Sequence, residues 1–186
     1  MRLGWDHATK NAPELAARAA RAGIKAITVH GRTRQQFYKD TADWRAVREV
    51  KAATSLPVIV NGDITDAASA REALAQSGAD AVMIGRGAYG RPWIAVAIDK
   101  ALAANDATKE PSIAERLSIV LDHLADSLRF YGDALGLRIF RKHLGWYIEQ
   151  APCPASADTR RAARGTLCRM ESAGDVENAL AALWSA

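Results

Sequence analysis

The sequence predicts an α/β chain in which a parallel β/α region runs to about residue 105 and an all-helical region follows over 106–186. Short apolar runs at Ile24–Val29, Val58–Val60 and Ala81–Ile84 each break abruptly into glycines and charged residues. Amphipathic stretches of helical length separate them, the arrangement expected of parallel strands joined by crossover helices. Beyond Pro92 no strand pattern recurs, and the chain becomes rich in Ala and Leu.

The elements follow in order. A helix over 13–22 has Asn11 as its N-cap, Pro13 in its first turn and Gly23 just past its end. The first apolar run ends in His30-Gly31-Arg32-Thr33-Arg34 and leads to a helix over 43–53. The second ends in Asn61-Gly62-Asp63 and leads to a helix over 66–77, with Gly78 as its stop. The third ends in Gly85-Arg86-Gly87. Helices are then expected over 94–104, 111–131, 134–150, 158–172 and 174–184, with breaks at 104–112 and 151–157.

With 186 residues, 49% of them hydrophobic, the chain can bury one good core or two small ones. No stretch approaches the roughly 20 apolar residues of a membrane span, and the first residues lack a signal-peptide core, so a cytoplasmic location is expected. Cys153 and Cys168 have neither metal-site spacing nor the pattern of a disulfide framework, and no metal is expected.

The formal charge of +4 is unevenly placed: residues 1–110 carry 16 Lys and Arg against 12 Asp and Glu, whereas 111–186 carry nine of each. Within the neutral half, Arg138, Arg141 and Lys142 share one helix face, and Arg160, Arg161 and Arg164 share another. Spacing alone leaves these as solvated faces or as nucleic-acid contacts.

Gly85-Arg86-Gly87-Ala88-Tyr89-Gly90 matches G-x-G-x-x-G after a strand. A dinucleotide fold would need another strand ending in an acidic residue about 20 positions on. Here the chain turns helical and Asp106 falls in a linker. The phosphate site that barrels build from their last two βα loops fits better, with Asn61-Gly62-Asp63 on the neighbouring strand; glycine turns without a ligand are the other reading. Taken singly, His30 reads as a structural hydrogen-bonding group, Asp63 as a cap for the next helix, and Trp5, Trp44 and Trp93 as packing residues.

Taken together, Met1-Arg2-Leu3-Gly4-Trp5, Thr28–Lys39, Pro57–Ile64, Gly78–Trp93 and Arg138–Tyr147 resemble the bacterial tRNA-dihydrouridine synthases, with the B-type branch nearest. The resemblance implies the C-terminal half of an FMN-binding TIM (β/α)8 barrel, strands 5–8, over 1–105, and a helical tRNA-binding domain over 106–186. It implies flavin contacts at Asn61, Gly62 and Asp63, the FMN phosphate at Gly85 and Arg86, and His30 and Arg2 lining the flavin and the target base. Arg32, Arg34 and Tyr38 fall in the following loop, as RNA contacts or as plain loop residues. The implied reaction takes electrons from NADPH through FMN to a tRNA uridine, giving 5,6-dihydrouridine. The two basic helix faces become candidate tRNA contacts, Arg138/Arg141/Lys142 foremost.

The family's catalytic cysteine in an Asn-x-Gly-Cys-Pro context, and a lysine just before the position of Met1, have no counterpart here, so no catalytic residue is assigned in this chain. Four strands, the first reduced to Met1-Arg2-Leu3, cannot close a barrel of eight. The chain is therefore expected to be a fragment, inactive alone, whose barrel needs its N-terminal half in trans or a second copy. A non-catalytic RNA-binding fragment and another FMN-barrel oxidoreductase are the alternatives; the Arg138–Tyr147 segment argues against the latter.

Overall fold

The computed structural model describes residues 1–151 and 156–185. The chain divides into two compact units, Met1–Ala88 with Ile94–Lys109, and Tyr89–Trp93 with Glu110–Ala186. The division falls at Lys109 rather than at 105, and the short stretch after Ala88 joins the helical unit.

In the first unit β1 (Ile27–His30), β2 (Val58–Asn61) and β3 (Ala81–Met83) form a three-stranded parallel sheet in the order β1-β2-β3. The helices are α1 (Ala12–Arg21), α2 (Trp44–Ala52), α3 (Ala67–Ser77) and α4 (Ile94–Ala103). Ile27, Val29, Val58 and Val60 point to one face and pack with Val47, Val50, Ala70, Ala73, Ile94 and Ile98. Thr28, His30, Ile59 and Asn61 alternate with them and stay half-buried. The apolar runs predict strands buried on both faces; in β1 and β2 only the helix-covered face is fully buried, and in β3 Val82 is partly buried while Ala81 and Met83 are exposed.

Two strand boundaries move. β1 begins at Ile27 rather than Ile24, because Gly23 adopts φ +90° and the Ile24 amide donates back to Ala19, holding this stretch in a turn. Met1-Arg2-Leu3 forms a single parallel bridge, Arg2 with His30, instead of a strand. The bridge is anchored by the His30 amide donating to Met1 O at 2.9 Å, the Leu3 amide donating to Arg32 O at 3.0 Å, and the buried Leu3 side chain.

The helix ends follow local chemistry. Asp66 and Ser69 make a reciprocal capping box at the start of α3, which Gly78 closes in the left-handed conformation at φ +66°. Asp66 is thus the cap that Asp63 was expected to be. Asn11 makes no side-chain cap bond to α1.

The second unit contains α5 (Ile113–Tyr131), α6 (Asp133–Glu149), α7 (Ala157–Leu167) and α8 (Ala173–Ser185). α5 and α6 fold back at Gly132, φ +78°. Val120, Leu124, Leu137, Phe140, Leu144, Ile148, Leu167, Val176, Leu180 and Trp184 form its core, which also takes in Trp93. α7 stops at Leu167, short of the predicted 172, and the Arg141 guanidinium donates to the Met170 carbonyl at 3.0 Å, holding the chain in its turn.

Gly136 marks a close contact between α5 and α6: a Cβ built there would lie 2.4 Å from the Ser127 carbonyl oxygen, a backbone atom that cannot swing aside. Gly136→Val is expected to destabilise the helical unit by about 1–3 kcal/mol through overpacking, read as a lowered denaturation midpoint.

Candidate functional site

The parallel register sets His30 beside Asn61, and Asn61 beside Met83, at the C-terminal ends of the three strands. The loops that leave these ends therefore emerge side by side. Asn61 ties two of them directly, its Nδ2 donating to the Met83 carbonyl at 2.8 Å.

Arg32 sits at the centre of this group. It is only 2% exposed, and its guanidinium donates to the carbonyls of Lys39 at 3.1 Å and Asp40 at 2.6 Å, to Asp63 Oδ2 at 2.5 Å and to His30 Nε2 at 3.1 Å. Asp63, at φ +56°, also accepts the Ala42 amide at 2.8 Å. One ion pair thus fastens the loop after β1 to the loop after β2. Gly62 is required alongside: at φ +119° its missing Cβ would meet Ala42 Cβ at 2.7 Å and His30 Cδ2 at 2.9 Å. Its carbonyl accepts the Trp44 indole N–H at 2.8 Å.

The same group fixes two protonation states. A guanidinium has donors only, so His30 Nε2 must accept and the ring proton sits on Nδ1. Burial first, then the charges of Arg2 and Arg32, lower the His30 pKa to about 4. His30 is therefore neutral at pH 7. For Asp63, burial raises the pKa, but the bonds from Arg32 and the Ala42 amide together with the charges of Arg32 and Arg86 outweigh it, and the net shift is downward.

Around this buried pair lies a looser cationic layer. Arg86, in a 3-10 turn over Arg86–Ala88, is 49% exposed, reaches Asp63 Oδ1 at 3.6 Å and lies 4.5 Å from the Tyr38 ring centroid. Arg2 donates to the carbonyls of Thr33 and Phe37, both at 2.8 Å, and stands 5.4 Å from the same ring. The three motif glycines have unrelated roles. A Cβ on Gly85 would meet nothing nearer than Asn61 Nδ2 at 3.9 Å, so its backbone faces open space. One on Gly87 would strike the Ile64 carbonyl at 2.3 Å, and one on Gly90 the Trp146 carbonyl at 2.4 Å. The G-x-G-x-x-G match is thus two packing glycines and one open one. A half-exposed guanidinium beside an open glycine backbone can receive a phosphate, and Asn61, Gly62 and Asp63 stand next to it.

The basic residues of the helical unit are put to varied use. Arg141 is partly buried, donates to Met170, and leaves its buried Nε without an acceptor among the described residues. Arg160 donates to the carbonyls of Ile148 at 3.0 Å and Glu149 at 2.8 Å, at the end of α6. Arg164 pairs with Glu149 at 2.6 Å and lies over Gly145, while Arg161 pairs with Asp158 at 3.0 Å. Arg138 is exposed, and Lys142 stands 5.4 Å from the Trp146 ring, which stacks on Tyr89 at 3.7 Å.

The sequence leaves Arg32 as an RNA contact or a plain loop residue; its burial excludes the first, and its role in joining two loops is one that local spacing does not show. Trp93 and Trp44 pack as expected, but Trp5 is 62% exposed. Cys168 donates to the Arg141 carbonyl at 3.8 Å, and Cys153 lies outside the described residues. Among the described residues, no helix is long and apolar enough to cross a membrane, and no group of three or more His, Cys, Asp or Glu could hold a metal.

Asp63→Asn leaves the Arg32 charge buried without its partner. A fully buried pair costs about 3–5 kcal/mol to break; with Asp63 partly exposed, roughly 1–3 kcal/mol is expected, measured by chemical denaturation. His30 adds a pH dependence. Its folded pKa lies below the ordinary 6.5, so the unfolded chain takes up the proton first as pH falls, and stability drops between about 6.5 and 4. In His30→Gln, whose side-chain oxygen can still accept from Arg32, that drop should shrink; denaturation midpoints at pH 7 and 5 for both chains decide it.

The family model for dihydrouridine synthase matches residues 1–183. A probable tRNA-dihydrouridine synthase of Rhodobacter capsulatus is 57% identical over 162 residues, 87% of this chain and 50% of the relative. One from Rickettsia conorii is 52% identical, covering 87% of this chain and 48% of its own. The tRNA-dihydrouridine synthase B of Pseudomonas putida is 45% identical over 82% of this chain and 45% of its own. The chain spans about half the length of the curated relatives it matches. With strand-end residues in this arrangement and a family match along almost its whole length, the chain belongs to the dihydrouridine synthase family.

Proposed function

We propose that the chain forms one wall of the flavin site of a tRNA-dihydrouridine synthase, as strands 5–8 of a TIM (β/α)8 barrel followed by a helical tRNA-binding domain. The observation that carries this reading is the exposed Arg86 beside the open backbone of Gly85, at strand ends shared with Asn61 and His30. In this reading Gly85 and Arg86 hold the FMN phosphate, Asn61, Gly62 and Asp63 border the flavin, and Arg2 and His30 face the flavin and the target base. When bound, FMN reduced by NADPH supplies the hydride that converts a tRNA uridine to 5,6-dihydrouridine.

The chain's own residues contribute binding and orientation. Arg86 is positively charged and only loosely held by Asp63, so it can turn to an anion without disturbing the Arg32 pair. His30, neutral with its proton on Nδ1, offers one hydrogen-bond donor fixed in direction by Arg32. No catalytic residue is assigned among these residues. Cys168 is turned to a backbone carbonyl within the helical unit, and burial raises its thiol pKa. No proton donor is assigned in this chain, and the chain alone is expected to be inactive.

For tRNA, Arg138 and Lys142 are the cations best placed to meet phosphate, with Arg161 next. Arg141, Arg160 and Arg164 support the helices that carry them. A base paired inside tRNA cannot reach a flavin, so the substrate uridine must leave the stack.

Titration of the chain with FMN, followed by flavin absorbance, tests the first part. Arg86→Ala should weaken binding about 10-fold or more, the worth of a hydrogen bond to a charged group, and undiminished affinity in that variant overturns the phosphate assignment. For the second part, tRNA affinity is measured at two salt concentrations. The double variant Arg138→Ala/Lys142→Ala should lower the log–log salt slope by about 2; an unchanged slope removes these residues from the interface.

A further inference from the structure

An aromatic surface beside the strand-end site remains without a role. Trp5 is 62% exposed and Phe37 54% exposed, both far above what packing residues of their size show. They are brought to one area by backbone pairing: the Arg34 amide donates to the Gly4 carbonyl at 2.8 Å, and the Gln35 amide to the Trp5 carbonyl at 2.9 Å. The segment bearing Trp5 is itself pinned, since a Cβ on Gly4 would lie 2.2 Å from the Thr9 carbonyl.

The loop bearing Phe37 is held against its own preference. Phe37 has φ +51°, a conformation that bulky side chains avoid. Three bonds enforce it: the Thr33 amide donates to Gln36 Oε1 at 2.8 Å, the Phe37 amide to the Arg34 carbonyl at 3.3 Å, and Arg2 to the Phe37 carbonyl at 2.8 Å. Strain maintained in this way is characteristic of functional loops. What it achieves is an aromatic ring directed outward, with the Arg34 guanidinium 4.5 Å from its centroid.

Exposed rings interleaved with arginines are the surface on which unpaired nucleotides bind. Bases stack on the rings while cations follow the phosphates. The charge balance agrees, because the cationic excess of the whole chain lies in residues 1–110. Tyr38 is a different case, its ring already approached by both Arg2 and Arg86.

We propose that Trp5 and Phe37, with Arg34, form a stacking surface for unpaired RNA nucleotides adjoining the one that enters the strand-end site. This rests on the reading of that site as one that receives a base extruded from tRNA. It adds a second requirement, that neighbouring nucleotides also be unpaired when the RNA is bound.

Tryptophan emission provides a direct readout, since a base stacked on Trp5 quenches it. The chain is titrated with an eight-nucleotide single-stranded oligouridylate and with a duplex RNA of equal length. Quenching by the single strand is expected to exceed that by the duplex, and to fall sharply in Trp5→Phe, which identifies the responding indole among the five tryptophans. Phe37→Ala should weaken single-strand binding about 5-fold or more, and Phe37→Trp should restore it. Both side chains are exposed, so these variants keep the fold, checked by circular dichroism. Equal quenching by duplex, no single-strand binding, or unchanged affinity in the Trp5→Phe/Phe37→Ala double variant overturns the proposal. FMN titration of the same samples separates the two readings: flavin binding with no stacking effect removes this inference alone, while stacking without flavin binding counts against the flavin site and leaves the surface standing.

Discussion

Everything at the strand ends depends on one guanidinium being worth its burial. Removing an arginine from water is costly, and the Coulomb attraction of a single carboxylate does not reliably offset that cost. Arg32 is retained because its other donors are also used: two loop carbonyls and a histidine nitrogen join Asp63 as acceptors. The pair is therefore better viewed as a device for geometry than as a source of stability. It draws together residues 39 and 40 of one loop and residue 63 of the next, and through His30 it reaches back to the strand itself. The left-handed conformations of Asp40 and Asp63 are the local cost of that closure. Both are aspartates, a residue type that tolerates this region better than most.

The helical unit handles arginine in a related way, with weaker constraint. Arg160 and Arg164 meet the C-terminal end of α6, where backbone carbonyls lack partners and the helix dipole favours positive charge. Arg141 reaches across to the turn after α7. The cation clusters that look alike in sequence thus divide by depth. Arg141 and Arg160 are drawn into backbone hydrogen bonding, Arg164 pairs with the Glu149 side chain, and Arg138, Lys142 and Arg161 remain at the surface.

How much of this the sequence disclosed follows the same division. The three strands, their parallel order and the helices between them were legible because buried apolar runs that end in glycine are dictated by periodicity. His30, Asn61, Gly85 and Arg86 were legible as strand-end residues for that reason, whatever their roles prove to be. Arg32 was not, since nothing in local spacing separates an arginine that folds inward from one that faces solvent; its partner is 31 positions away. Trp5 failed in the opposite direction. Its residue type points to packing, whereas the pairing of residues 4 and 5 with 34 and 35 fixes its backbone at a position where the ring stays exposed. The early end of α7 likewise depends on a contact from another helix, 29 positions distant. Each difference is a tertiary decision imposed on residues whose local preferences were neutral.

Asp63 draws these threads together, because it meets two arginines on unequal terms. Its Oδ2 is 2.5 Å from the buried Arg32, and its Oδ1 is 3.6 Å from the half-exposed Arg86. The close contact is shielded from water and supported by other bonds of the same guanidinium. The distant one is solvated, and an exposed pair of that kind contributes little, typically under about 1 kcal/mol. An arriving anion can thus compete with Asp63 for Arg86 at small cost while leaving the Arg32 framework in place. The carboxylate keeps Arg86 near the open backbone of Gly85 without neutralising it through a tight pair. Rigidity and availability at this site come from one carboxylate, distributed by burial between its two oxygens.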